Sequence, residues 1–276
     1  MDTITNVLKR TPIVVFDESD RASEQLYQPF AWGDVFLRAV NKNPDSSILH
    51  IWPMENTLIL GMLDRRLPYC DDAIKTVRTN GYRAIVRNVG GLAVVADEGI
   101  LNFSFILPKR PDEKLSIQDA YIFMYDFICE MFSSYGKKIE HFTIEDSYCP
   151  GDFDLSINGK KFAGTAQRRF KDGVSISIYL SVCGNQQKRG ELVRAFYQEG
   201  KKNEPTNYAF PDVNPSAMMN LEDLLGVKLT VDDVKTRLME TLKRFNDNVS
   251  SLDVTPELKK QYREFHDKMI ERNRNA

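Results

Sequence analysis

Apolar and polar positions follow two different rhythms along this chain, and the change of rhythm divides it. Between Ser23 and Val40 the apolar residues Leu26, Phe30 and Leu37 predict a helix, weakened or interrupted near Pro29. Two short apolar runs follow, SILHIWP and TLILGM, separated by Glu55-Asn56, and they suggest paired strands. Asp71 to Asn80 reads as a short helix ended by Gly81. The most strand-like part is RAIVRNVGGLAVVADEGILNFSFILP, broken at Gly90-Gly91 and again at Asp97-Glu98-Gly99. A strand, a glycine loop and then a hairpin account for that pattern. Pro108, Pro111 and their charged neighbours mark an exposed connection.

Ser116 followed by Asp119 opens a helix whose Tyr121, Met124, Ile128, Met131 and Phe132 share one face. Cys129 lies inside it and reads as a small buried hydrophobe. From Ile139 the strand rhythm returns as IEHFTIED, a turn SYCPG, then FDLSI. Asn158-Gly159 is a two-residue hairpin signal joining FDLSI to KKFAGTAQRRF, and Lys171-Asp172-Gly173 turns the chain into VSISIYLSV. From about Arg189 the remainder is mainly helical. Thr230 with Asp233, and Thr255 with Pro256, look like two helix starts. Val234, Leu238, Leu242 and Phe245 line the first helix; Leu258, Tyr262, Phe265 and Met269 line the second. Strands clustered mid-chain between helices predict an α+β fold: a mixed, largely antiparallel sheet flanked by helices, not a repeating βαβ unit. The expected organisation is one main domain over 1–225 and a helical C-terminal extension over 226–276 packed on it.

Composition narrows the function more than the fold. A formal charge of -2 gives no reason to expect nucleic acid or an anionic membrane as a partner. No stretch approaches the ~18 consecutive apolar residues of a membrane span. The opening MDTITNVLKRTPIVVFDE lacks the charged head and long apolar core of a signal peptide. The four cysteines (70, 129, 149 and 183) form no CxxC pair, which argues against structural zinc or a disulfide framework and for a reducing, cytoplasmic setting. With only His50, His141 and His266, a histidine triad or metal cluster has little to draw on, and no metal site is expected.

Three segments could carry chemistry. In RNVGGLAVV, glycine lets the backbone adopt positive φ and approach a ligand closely, beside Arg87. Read alone, it is equally a tight turn between strands. It is not a phosphate loop, for no GK[ST] follows, nor a dinucleotide fingerprint, for GxGxxG is absent. In SYCPGDFDLSI, Cys149 stands in a turn, where a thiol is exposed and close to backbone N–H groups that favour a thiolate. From local sequence an incidental loop cysteine is the commoner case. In NGKKFAGTAQRR, Lys160 and Lys161 point to opposite faces of a strand, which lets one of them face inward, although two solvated strand lysines are the commoner case. A lysine aimed into a site supplies positive charge for a carbonyl oxygen that becomes negative during acyl transfer. Gly164, three residues on, leaves space for something to approach.

In this order the segments resemble the lipoate–protein ligase and octanoyltransferase superfamily. Its RRxxGGGxVxxDxGxLNxS pattern is matched by Arg87, Gly90, Gly91, Val94, Asp97, Gly99, Leu101, Asn102 and Ser104. Its DLxxxGKKxxG pattern is matched by Asp154, Leu155, Gly159, Lys160, Lys161 and Gly164. The match runs from about Trp52 to Val182. The resemblance implies the biotin/lipoate ligase type of catalytic domain over 1–225, with Lys161 as the catalytic lysine. It implies Arg87, Gly90, Gly91, Asn102 and Gly164 as substrate-binding residues. One branch places its nucleophile on the strand after the lysine, where this chain has Gly173-Val174-Ser175-Ile176. The other places it in the loop before DLxxxGKK, where Cys149 stands.

That second branch implies transfer of an octanoyl group from the glycine cleavage H protein to the lysine of lipoyl domains of 2-oxoacid dehydrogenase E2 subunits. An acyl-thioester on Cys149 would be the intermediate, and neither ATP nor another cofactor is needed. Asn88, Leu92 and Ala96 depart from the usual arginine, small or basic residue, and histidine. They count against adenylate formation and so against an ATP-dependent lipoate ligase. A sister octanoyltransferase fed by acyl carrier protein, an ATP-dependent lipoate ligase in which Cys149 is dispensable, and a non-catalytic binder of acylated lipoyl domains stay open.

Overall fold

The computed structural model describes residues 2–19, 25–109 and 115–274. In chain order the elements are α1 (Asp2–Leu8), β1 (Ile13–Asp17), α2 (Gln28–Lys42), β2 (Ser47–Ile51), β3 (Thr57–Leu60), α3 (Cys70–Thr79) and β4 (Arg83–Val86). Next come β5 (Val94–Ala96), β6 (Ile100–Pro108), α4 (Ile117–Phe132), β7 (Glu140–His141), β8 (Leu155–Ile157), β9 (Lys160–Phe170) and β10 (Gly173–Ser181). The chain finishes with α5 (Gln186–Lys201), α6 (Leu221–Leu225), α7 (Val231–Phe245), β11 (Val249–Ser251) and α8 (Pro256–Asn273).

An eight-stranded sheet runs β11-β1-β2-β6-β10-β9-β8-β7, and a three-stranded sheet runs β4-β3-β5. The large sheet is antiparallel except where β1 pairs in parallel with β2 and β11. The α+β expectation therefore holds.

Several local expectations hold for the reasons given. Ser116 and Asp119 form a reciprocal capping box on α4, and Thr230 with Asp233 forms another on α7. Asn158 and Gly159 both take positive φ, as a two-residue hairpin turn requires, and join β8 to β9.

Others need correction. Pro29 does not interrupt a helix; it sits in the first turn of α2, where its missing N–H would lack an intrahelical partner anyway. The start expected at Ser23, like Pro111 in the later connection, lies outside the described residues. SILHI and TLIL are not paired with each other, for β2 lies in the large sheet and β3 in the small one. Every residue of both strands is buried, so each is covered on two faces and lacks the alternation that identifies sheet partners. Nor do β5 and β6 form a hairpin: β5 pairs with β3, while β6 pairs with β2 and β10. The turn between them is pinned across to the start of α5, with Arg189 Nη2 donating to Asp97 Oδ1 at 2.6 Å and Val182 N–H to the Gly99 carbonyl at 3.0 Å. Of IEHFTIED only Glu140 and His141 are strand.

The two faces of β6 are unlike. Leu101, Phe103, Phe105 and Leu107 enter a core shared with α1, α4 and α7. Asn102 and Ser104 face the other way, toward the seam with the small sheet, whose own core is closed by α3 and α5. Residues 226–276 do more than cover this assembly. Val234, Leu238 and Leu242 of α7 belong to the main core, and β11 extends the large sheet beyond β1. At the end of α8, Asn273 accepts from Val86 N–H at 2.7 Å and donates to the Val86 carbonyl at 3.2 Å. It thereby pairs the outer edge of β4, one residue before Arg87. Among the described residues, no helix is long and apolar enough to cross a membrane.

Replacing Asn273 with Ala leaves a buried strand N–H and C=O without partners. We expect urea denaturation to show a loss of about 1–3 kcal/mol; an unchanged midpoint would mean that the helix end is not holding the strand.

Candidate functional site

The site is assembled from four pieces: the loop between β4 and β5, the polar face of β6, the loop before β8, and the start of β9. Together they line a cavity of about 250 Å³. Arg87, Gly90, Gly91, Asn102, Cys149, Lys161 and Gly164, separated by as many as 77 positions, all border it.

Alternation along β9 sends the two lysines apart. Lys160 turns outward and donates to the Ser216 carbonyl at 2.7 Å, while Lys161 is only 3% exposed. Its ammonium lies 2.9 Å from Asp154 Oδ1, 3.1 Å from Ser147 Oγ, 2.9 Å from the Tyr148 carbonyl and 3.0 Å from the Cys149 carbonyl. An ammonium has three protons, so four acceptors more than satisfy it. In this arrangement Lys161 grips the backbone that carries the thiol. To meet an additional oxygen it must release one of these partners.

Cys149 takes φ +48°, a left-handed conformation costly for a residue with a side chain. The two carbonyls held by Lys161 flank that residue and lock it. Asp154 completes the arrangement by accepting from Gly151 N–H at 3.2 Å and Ile144 N–H at 3.4 Å. Burial pushes the Asp154 carboxyl above its ordinary value, against the opposing pull of the Lys161 ammonium.

The glycine loop meets the thiol from the other side. Leu92 N–H points at Cys149 Sγ at 3.1 Å, and Arg87 Nη2 reaches toward it at 3.8 Å while donating to the Leu92 carbonyl at 2.9 Å. A backbone N–H and a guanidinium are the donors a thiolate nucleophile uses. Gly91 has φ +98°, and a Cβ there would stand 2.5 Å from Arg87 Nη2 and 3.1 Å from Cys149 Sγ. Glycine at 91 is therefore required both by conformation and by space. At Gly164 a Cβ would rest in ordinary contact, 3.6 Å from Lys161 Cε, so that glycine leaves room above the buried pair.

A model of the lipoyl protein ligase A/B catalytic domain matches residues 25–243. The chain belongs to that family. Among its relatives, octanoyl-[GcvH]:protein N-octanoyltransferase of Oceanobacillus iheyensis is 43% identical over 88% of this chain and 87% of its own. Lipoyl-[GcvH]:protein N-lipoyltransferase of Listeria monocytogenes is 41% identical over 89% and 88%. A Thermoplasma acidophilum protein described as a lipoate protein ligase, solved with lipoic acid, superposes with a TM-score of 0.70. It covers 94% of this chain and 95% of its own at 17% identity, and this likeness shows the shared fold.

Other residues around the site carry no local sequence signal. Tyr148 is buried behind Cys149, its hydroxyl paired with that of Tyr179 and accepting from Gln186 Nε2 at 3.2 Å. Gln186 Oε1 in turn accepts from Ser181, which also bonds Asn220 and Arg189. On the glycine-loop side, Tyr197 accepts from Ala93 N–H at 3.2 Å and donates to Asp64 Oδ1 at 2.8 Å. The other Asp64 oxygen accepts from Gly61 N–H at 2.7 Å. These residues come from strand, helical and loop stretches with ordinary patterns, and only folding brings them to the surroundings of the site. Among the described residues, no group of three or more His, Cys, Asp or Glu side chains is placed to hold a metal ion.

Asp64 is fully buried, and that desolvation pushes its carboxyl from the ordinary 3.8 up to about 6, despite the Tyr197 and Gly61 hydrogen bonds and the Arg87 charge. A pKa higher folded than unfolded means the folded state binds the proton more tightly. Stability from this group is complete below about pH 4 and is lost as pH rises to about 6. Asp64→Asn lacks that term. Between pH 4 and 7 the wild type should lose about 2–3 kcal/mol relative to Asp64→Asn in urea unfolding; parallel pH curves would remove Asp64 as the cause.

Proposed function

We propose that this chain transfers an octanoyl group from octanoylated glycine cleavage H protein to the lysine of lipoyl domains in 2-oxoacid dehydrogenase E2 subunits. The observation that carries the reading is the thiol of Cys149, held in a left-handed turn by buried Lys161 and met by Leu92 N–H and Arg87 at the wall of a cavity. The names of relatives at 41–43% identity, octanoyl- or lipoyl-[GcvH]:protein transferases, support the choice of substrate.

In the first half-reaction the Cys149 sulfur bonds to the carbonyl carbon of the octanoyl-lysine amide. The C–N bond breaks, and the free lysine leaves with the proton given up by the thiol. In the second, the amine of the acceptor lysine attacks the thioester, its excess proton passes back to the sulfur, and Cys149 is regenerated. Splitting a difficult amide exchange into two steps through a covalent intermediate is the gain from the nucleophile. Lys161 sets the position of the nucleophile and supplies fixed positive charge behind it.

The exchange of amide for amide consumes no nucleotide. Asn88 supports that part of the proposal: its Nδ2 donates to Asp34 Oδ2 at 2.6 Å, and Arg168 pairs with the other oxygen at 2.7 Å. The position where the family usually has a second arginine is thus a neutral amide engaged with Asp34. Such chemistry suits a cytoplasmic enzyme. The Listeria relative favours one second reading, in which the transferred group is lipoyl.

Intact-mass measurement after mixing the purified protein with octanoylated H protein tests this directly. The expected product is an octanoyl adduct that hydroxylamine removes, absent in Cys149→Ala, and chased onto a lipoyl domain without ATP. Modification of a lipoyl domain only with free lipoate and ATP, and with no adduct, would make the protein a ligase instead. Lys161→Ala should abolish the adduct and lower stability by about 3–5 kcal/mol, because Asp154 is left buried without its cation.

A further inference from the structure

The cavity contains a polar group with nothing to bond. Asn102 is 1% exposed, and neither its Nδ2 nor its Oδ1 has a partner among the described residues. Its neighbours are already engaged. Tyr179, directly opposite in the β6–β10 register, turns its hydroxyl to Tyr148. Trp52 Nε1 donates to Ser104 Oγ at 3.0 Å, and Ser104 pairs with Ser177 at 2.7 Å. Leaving both ends of a buried amide unpaired is costly, and such a group calls for a specific explanation.

A primary amide offers both donors and an acceptor. A secondary amide supplies an N–H donor that its oxygen can accept. Such an amide bond is what the reaction breaks on the donor and makes on the acceptor. Arg87 Nε, also buried without a partner among the described residues, borders the same cavity and adds a further donor. We propose that Asn102 reads the scissile N-acyl-lysine amide and so sets this enzyme's preference for amide over thioester acyl donors. Oδ1 accepts the amide N–H, while the carbonyl, which points the opposite way in a trans amide, is left to another donor of the cavity such as Arg87 Nε. A thioester has a carbonyl and no N–H, so it leaves Oδ1 unpaired. Sites built to hydrogen-bond an N–H discriminate strongly against analogues that lack it. The inference rests on the transfer reading above and adds to it the residue that selects the donor's chemical class.

The test compares acyl-enzyme formation on Cys149 from two octanoyl donors, octanoylated H protein (an amide) and S-octanoyl-N-acetylcysteamine (a thioester), by time-resolved intact mass. Asn102→Ala should slow loading from the amide by about 30-fold or more, and from the thioester by less than about threefold. Asn102→Leu, which exchanges the unpaired amide for an apolar group of similar size, should lose the amide reaction equally while keeping or raising the melting temperature. Equal losses with both donors, or none with the amide, would overturn the assignment while leaving the transfer reading intact. A melting temperature several degrees lower in Asn102→Leu would overturn it too, since it would mean that the amide is satisfied within the fold, for example by a buried water. A wild-type protein that accepts octanoyl from neither donor would sink both readings together.

Discussion

A single ammonium sits where the two halves of the site meet. Lys161 lies at the beginning of β9, next to a register shift in the β8–β9 pairing, with its charge almost wholly removed from water. Such burial is tolerable only if the charge is paired and its protons are all taken. Asp154 supplies the opposite charge, and Ser147 with the carbonyls of Tyr148 and Cys149 takes the remaining protons. The need to satisfy Lys161 thus dictates the path of residues 147–154. That path in turn forces Cys149 into its left-handed turn and presents the sulfur to the glycine loop.

The rest of the architecture supplies the opposing surface. The glycine loop belongs to the small sheet and the cysteine loop to the large one, so the sulfur contacts require the sheets to be held in register. Several buried polar ties do this. Arg189 joins the turn after β5 to Ser181 and Asn220, and the Asp64–Tyr197 pair fixes the amide of Ala93 immediately after Leu92. Asn273 binds β4 from the end of the chain. Polar ties of this type are directional, unlike apolar packing, and for that reason suit a seam where a fraction of an ångström decides whether an N–H reaches a sulfur.

What could be read from sequence follows this division. Short-range features were legible because their causes are local: the capping boxes of α4 and α7, the Asn158-Gly159 turn, and the opposed faces of Lys160 and Lys161. The order and spacing of the two motifs made Cys149 and Lys161 candidates, although neither neighbourhood would have done so alone. Strand partnership was not legible. Buried strands such as SILHI and TLIL show no alternation, and the turn at Asp97-Glu98-Gly99 resembles a hairpin until Arg189, 92 positions away from Asp97, draws it to the other sheet. The parallel pairing of β11 with β1 was hidden likewise, because Val249–Ser251 is too short to signal a strand. The ties that Asn273, Tyr197 and Asp64 make to the backbone around the site depend on tertiary contacts that no local pattern encodes.

The charge distribution also bears on the proposed transfer without nucleotide. Forming an acyl adenylate concentrates negative phosphate charge, which demands several cations reaching into the site. Here the cations are directed inward, onto protein. Lys161 is occupied by Asp154 and two carbonyls, Arg168 by Asp34, and Arg189 by Asp97. Arg87 bends between the Leu92 carbonyl and the Cys149 sulfur. A site wired in this way is suited to holding one sulfur and one neutral amide. Because the bond broken and the bond made in the proposed transfer are of the same kind, that reaction is nearly isoenergetic and needs no activated leaving group. The demands that remain are a nucleophile held in place and a surface that recognises the amide.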